Sequence, residues 1–171
     1  YFATEAELLK ALNFTPKSAT ENTGKPVKDN VVIIILESFA SEYTGIENNG
    51  NGYTPFFDSL AARGNFYREH YANGRKSIEA LPPLLAGLPS LMNQPYITSS
   101  FQCNKLYGIG TIAKEAGYAT SFFHGAENGT MGFNTFARIA GFEKYFGLRE
   151  YPRELFKQDF HGHWGILDEP Y

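Results

Sequence analysis

The chain has one cysteine, one tryptophan and two methionines in 171 residues. With Cys103 alone, no internal disulfide forms, and there is no second thiol for a redox pair or a zinc knuckle, so a quiet core thiol is its expected role. Long apolar runs are also missing. The longest aliphatic one, VVIIIL at 31–36, falls far below the roughly 20 residues of a membrane-spanning helix. Nor is there an excess of positive charge: 15 Lys and Arg stand against 18 Asp and Glu, for a net charge of −3. The basic residues are scattered, which argues against a nucleic-acid partner. The sequence opens at Tyr1 with no Met, signal peptide or basic flank, so a longer parent protein is expected. Internal repeats and low-complexity tracts are lacking as well.

What is present suits a folded α/β globule. Hydrophobic residues make up 43%, aromatics 16% and charged residues 19%, and the length accommodates one domain with a substantial core. Residues 4–12 read as a short amphipathic helix, with Thr4 as cap and Glu7 three places on. A Pro, Asn and Gly linker follows, so residues 1–29 precede a domain at 30–171. The uninterrupted β-branched run at 31–36 has the character of a strand buried on both faces of a parallel sheet. TPFFDSLAARG at 54–64 carries a threonine cap, proline at the first helical position and a glycine stop. Further elements are expected as a strand at 65–71, a helix at 77–88 that Pro82 and Pro83 force to start late or bend, a helix at 105–116, a strand at 118–125 and a helix at 132–140. The tail from 147 reads as irregular.

In open parallel sheets reactive groups gather at the carboxyl ends of strands, and three residues qualify on that rule. Glu37 ends the first aliphatic run. A carboxylate there is costly to desolvate unless a cation or donor set compensates it, so it reads either as a metal ligand or as the cap of a helix starting at Ser38. Ser77 in NGRKS opens a helix behind Arg75 and Lys76. It is either a plain N-cap or a nucleophile bathed in the positive field of a helix N-terminus. His124, before GAENG, is either a core histidine or a site residue. NGRKS is no phosphate-binding Walker loop, because Arg75 and Tyr71 stand where glycines are required, and GTMGF lacks the three-glycine dinucleotide spacing. His161 and His163 in HGHW alternate as two ligands on one strand face would, and Trp164 reads as packing or as a sugar platform.

NVVIIILESF, TPFFDSLAARG, NGRKSIEALPPLLAGLPSL, FFHGAENGTMGF, AGFEKYFG and WGILDEP, taken in order over residues 30–170, resemble the lipoteichoic acid synthase-like family of the alkaline phosphatase and sulfatase superfamily. The resemblance implies an alkaline phosphatase-like α/β fold: a mostly parallel central sheet with helices on both faces, incomplete over these residues. It implies a membrane-anchored, extracytoplasmic enzyme that moves a phosphoglycerol-type head group of a phospholipid or glycan through a phospho-serine intermediate. Carried over by position, Ser77 matches the nucleophile, Glu37 together with Ser77 the metal ligands, and Lys76 a phosphate-holding lysine. His124 matches a substrate-pocket histidine. Arg75, Asn128 and Trp164 are further expected substrate contacts. Where the synthases carry a tryptophan and an arginine after this histidine, the chain has Met131 and Phe133.

The implied cofactor is a divalent ion, Mn²⁺ first and Mg²⁺ or Zn²⁺ as alternatives, whose shell the family completes with an Asp-His pair further downstream. Such an ion explains why Ser77 has no histidine base beside it. Formylglycine-type sulfatases need a Cys or Ser followed by x-Pro-x-Arg, and neither Ser77-Ile-Glu-Ala-Leu nor Cys103-Asn-Lys-Leu-Tyr satisfies that. Alternative readings are a phosphoethanolamine transferase, a phosphodiesterase or sulfatase-like hydrolase, and a non-catalytic binding domain that keeps the fold. Self-association through exposed apolar edges is a further expectation.

Overall fold

The computed structural model describes residues 3–11 and 27–171, and the chain divides into two units, residues 1–36 and 37–171. In the first unit, helix α1 spans Glu5–Ala11. Its start follows from a reciprocal cap: Thr4 Oγ1 accepts the Glu7 backbone N–H at 3.3 Å, and the Glu7 carboxylate accepts the Ala3 N–H at 2.9 Å. Residues 27–36 form neither helix nor strand. The run expected to be a doubly buried strand is exposed throughout, from 42% at Ile35 to 80% at Val32. Apolar, β-branched side chains favour a pleated surface, but a strand exists only where a neighbour supplies its ladder of hydrogen bonds.

The second unit holds α2 (Pro55–Ala61), α3 (Ser77–Ala86), α4 (Ile109–Glu115), β1 (Ser121–Phe123), α5 (Phe133–Ile139), β2 (Lys144–Phe146) and α6 (Arg153–Asp159). Strands β1 and β2 pair in parallel, with Ser121 opposite Lys144, Phe122 opposite Tyr145 and Phe123 opposite Phe146. Helix α5 makes the crossover between them, so this is a βαβ unit. Aromatic pairs hold the register: Phe123 stacks on Phe146 at 4.7 Å and Phe122 on Tyr145 at 5.6 Å. The strand expected at 65–71 does not form. Those residues run through a turn at Arg68–Glu69 without a ladder partner.

Helix α3 starts at Ser77 and carries Pro82 and Pro83 inside it. Each proline lacks the N–H that would reach back four residues, so the carbonyls of Ile78 and Glu79 go without those helical bonds. The helix persists because its inner face is anchored: Leu81 and Leu85 join Ile97, Phe133, Phe136 and Ala140 in one buried cluster. Gly87, in the left-handed region at φ 62°, ends it.

The tail is ordered where the sequence reads as irregular. Phe160 and Ile166 form an antiparallel bridge, and Tyr151 donates to the buried Asp159 at 2.6 Å. That bond, with some burial, pushes the Tyr151 phenol up to about 12. Tyr171 is tied to the carboxyl end of the sheet through the Phe146 carbonyl.

Candidate active site

The first cluster is built on the N-terminus of α3. Lys76, with extended backbone at φ −135° and ψ 153°, occupies the cap position and makes no side-chain cap. Ser77 is therefore the first residue of the helix and not its cap. Its half-buried hydroxyl has no hydrogen-bond partner among the described residues. The loop before it is held against the first turn: Glu79 accepts the Arg75 backbone N–H at 2.7 Å. Gly74 is required there, because at φ 144° a Cβ would lie 2.7 Å from the Cβ of Glu79. Arg75 and Lys76 are exposed and make no ion pair among the described residues, so both cations are available to an anion arriving at the helix end.

Glu37 lies in a turn and is exposed; it does not terminate a strand, since residues 31–36 are unpaired. The Ser38 hydroxyl donates to its carboxylate at 3.4 Å. Ser38 itself sits at φ 50°, in the left-handed region that costs a non-glycine residue energy. Oxygen donors such as Glu37 and Ser77 suit a hard divalent cation. They are only two, however, and among the described residues no three His, Cys, Asp or Glu converge as a metal site. No hydrogen bond links Glu37 to Ser77 among the described residues.

The second cluster lies at the carboxyl ends of β1 and β2. His124 follows β1, and its backbone N–H donates to the Phe146 carbonyl at 2.9 Å, carrying the parallel ladder one step further. Its ring tilts against Phe133 at 4.9 Å, and its Nδ1 lies 3.2 Å from the Tyr145 hydroxyl. Burial holds the imidazole below its ordinary value of 6.5. Burial is also the main cause that pushes the Tyr145 phenol up to about 12, with smaller contributions from Tyr171 and Glu150.

Asn128 acts within the loop scaffold. Its amide donates to Glu150 at 2.9 Å and its carbonyl accepts the Arg149 N–H at 3.1 Å. The Asn128 bond, followed by one from the Gly147 N–H, holds the Glu150 carboxyl below its usual range. Trp164 is 80% exposed. Beside it, Gly165 at φ 120° abuts the loop after His124, where a Cβ would stand 2.2 Å from the Gly125 carbonyl oxygen. His161 and His163 lie in the turn between the two bridge residues, not side by side on a strand face.

Arg75, Lys76 and Ser77 thus lie consecutively at the N-terminus of α3, and His124 and Asn128 share the loop after β1, against which the backbone beside Trp164 packs. Sequence reasoning overlooked Tyr145, Tyr171 and Glu150. For Tyr145 a signal existed: KYF between Gly141 and Gly147 is a short aromatic run bounded by turn residues.

A comparison with curated proteins finds no match. Among solved structures, the chain is similar to a protein of the alkaline phosphatase superfamily from Vibrio parahaemolyticus. The two are 27% identical with a TM-score of 0.59, over 67% of this chain and 27% of that one. The chain therefore spans about a quarter of that protein's length, and its fold is that of the alkaline phosphatase superfamily, α/β with a small parallel sheet. Enzymes of this group are in general phosphoryl or sulfuryl transferases or hydrolases that use divalent metal ions. Since the Sulfatase family model matches residues 29–170, across Glu37, Ser77 and both strands, the chain belongs to the Sulfatase family.

Proposed function

We propose that the chain carries the nucleophile half of a phosphotransferase site, with Ser77 forming the covalent phospho-enzyme. The observation that carries this reading is the free Ser77 hydroxyl at the first position of α3, released from capping by Lys76. Its oxygen attacks phosphorus as the hydroxyl proton is released to solvent; the bond to the leaving alkoxide breaks and that oxygen takes up a proton. An acceptor hydroxyl later takes the phosphoryl group, giving up its proton as Ser77 regains one. The partial positive charge of the helix N-terminus, with Lys76 and Arg75, stabilises the phosphoryl oxygens. A divalent cation held in part by Glu37 and Ser77, Mn²⁺ by preference, would supply acidification of the hydroxyl and further charge neutralisation. Family membership leaves phosphoryl and sulfuryl chemistry both open. The absence of x-Pro-x-Arg after Ser77 and Cys103 favours direct attack by serine over formylglycine chemistry.

The finer assignment rests on resemblance to the lipoteichoic acid synthase-like family. It comprises a phosphoglycerol-type head group, a lipid or glycan substrate, and an extracytoplasmic site anchored to a membrane. No helix among the described residues is long and apolar enough to cross a membrane, so the anchor belongs to that proposal alone. Intact-mass measurement after incubation with a phosphoglycerol donor and Mn²⁺ tests the assignment. One adduct per chain is expected in the native protein, with at least a roughly hundredfold loss in Ser77→Ala. An equal adduct in the variant removes Ser77 as nucleophile.

A further inference from the structure

His124 and Tyr145 meet in a way that the transfer reaction does not by itself require. The Tyr145 hydroxyl has one protein partner among the described residues, Nδ1 of His124 at 3.2 Å. Its ring is fixed in place by stacking on Phe122 at 5.6 Å with the planes 9° apart. On the other side, the His124 ring rests on Phe133, which is buried. A hydrogen bond between a phenol and an imidazole nitrogen has a direction, because a neutral imidazole carries one donor and one acceptor. With the phenol pushed up to about 12 by burial, Tyr145 keeps its proton at neutral pH and has it to give. With His124 held below 6.5 by burial, the ring is neutral there and has one nitrogen free to accept.

We propose that Tyr145 is the positioning residue of His124: its hydroxyl donates to Nδ1 and fixes the Nε2–H tautomer, so His124 donates a hydrogen bond to a tetrahedral oxyanion at the carboxyl end of the sheet. The tautomer is argued from the Tyr145–His124 contact, whereas the oxyanion, a phosphoryl or sulfuryl oxygen, rests on the reading given above. In this role His124 is a hydrogen-bond donor and not a general base. Its free N–H lies on the ring edge away from Tyr145, and no described residue bonds to it. The other ionisable groups near the pair are Tyr171, whose hydroxyl meets the His124 backbone N–H at 3.2 Å, and Glu150, which adds to the upward push on Tyr145. Neither takes the place of Tyr145 at Nδ1.

Long-range ¹H–¹⁵N spectra of the full chain labelled in histidine test the assignment. The chain has only four histidines, and the His124 signals are identified by their loss in His124→Gln. The native protein is expected to show His124 protonated on Nε2 and bare on Nδ1, with the Nε2 signals moving as inorganic phosphate is added. Tyr145→Phe keeps the stack on Phe122. It should give a mixture of tautomers and raise the phosphate dissociation constant about threefold to tenfold, the usual worth of one such hydrogen bond. A native His124 carrying its proton on Nδ1 overturns the proposal without need of any variant. So does a tautomer ratio unmoved by Tyr145→Phe, or a phosphate titration that leaves His124 in place. These outcomes are separate from the fate of Ser77: an adduct that survives Ser77→Ala removes the transfer reading and leaves the tautomer standing.

Discussion

Residues 31–36 and residues 121–123 both read as strand in the sequence, yet only the second stretch is part of a sheet. VVIIIL has the stronger strand character by composition and lies exposed and unpaired. Ser121-Phe122-Phe123 is half the length and pairs in parallel with Lys144-Tyr145-Phe146. The difference teaches that a strand is a property of two segments. A crossover through α5 brings β2 alongside β1, and the Phe123–Phe146 and Phe122–Tyr145 stacks reward that register. The same contrast governs the reactive groups that follow each stretch. His124 gains a defined environment from Phe133, Tyr145 and the Phe146 carbonyl, whereas Glu37 has the hydroxyl of its neighbour Ser38 and little more.

The comparison breaks first at the core under the sheet. Phe136, 2% exposed, joins the cluster of Leu81, Leu85 and Ile97. Phe136→Ala should cost about 3–5 kcal/mol by chemical denaturation, through lost transfer energy and the cavity left behind. A loss under about 1 kcal/mol would mean that the βαβ unit is not the stable part of the molecule.

An intermediate effect is expected on acidification. The folded-state value of His124 lies below the 6.5 of an ordinary histidine because of burial. Well above 6.5 neither folded nor unfolded chain holds the proton, and the contribution vanishes. As pH falls below 6.5 the unfolded chain takes up the proton first, so stability declines until the folded-state value is passed. Urea midpoints measured downward from pH 7.5 should show this decline, and His124→Gln should reduce it. An unchanged slope in the variant would place the acid sensitivity elsewhere.

The smallest effect belongs to the unpaired stretch. Val32→Thr and Ile34→Thr, at 80% and 76% exposed, should each shift stability by no more than about 0.5 kcal/mol. Losses of about 1–3 kcal/mol, as expected for buried aliphatic side chains, would show that this run has found a partner and joined a sheet. Analytical ultracentrifugation of the same variants bears on the proposed self-association, which should weaken when the run is made polar.

Local punctuation made the helices readable. Pro55 at the start of α2, Gly141 after α5, and the Thr4–Glu7 pair at α1 each act within a few residues of themselves, so no distant contact is needed to interpret them. The end of β1 at His124 was legible for the same reason, an aromatic run meeting a glycine-rich loop. The identity of the α3 cap was not: serine is the better capping residue by type, but the structure places the helix boundary one residue earlier, at Lys76. Nor could the sequence show the contacts of Tyr145 and Tyr171 with His124, which span 21 and 47 residues.

The sequence by itself determined which segments are able to form helices, which residues are candidates for chemistry, and that a lone thiol leaves no internal disulfide within these residues. Only the tertiary structure decided which strand-prone segment became a strand, that the Ser77 hydroxyl is free and not a cap, and that His124 faces Tyr145. The physical reason is range: caps, turns and helical periodicity act over about four residues, whereas ladders, buried pairs and the direction of a hydrogen bond depend on groups that only folding brings together.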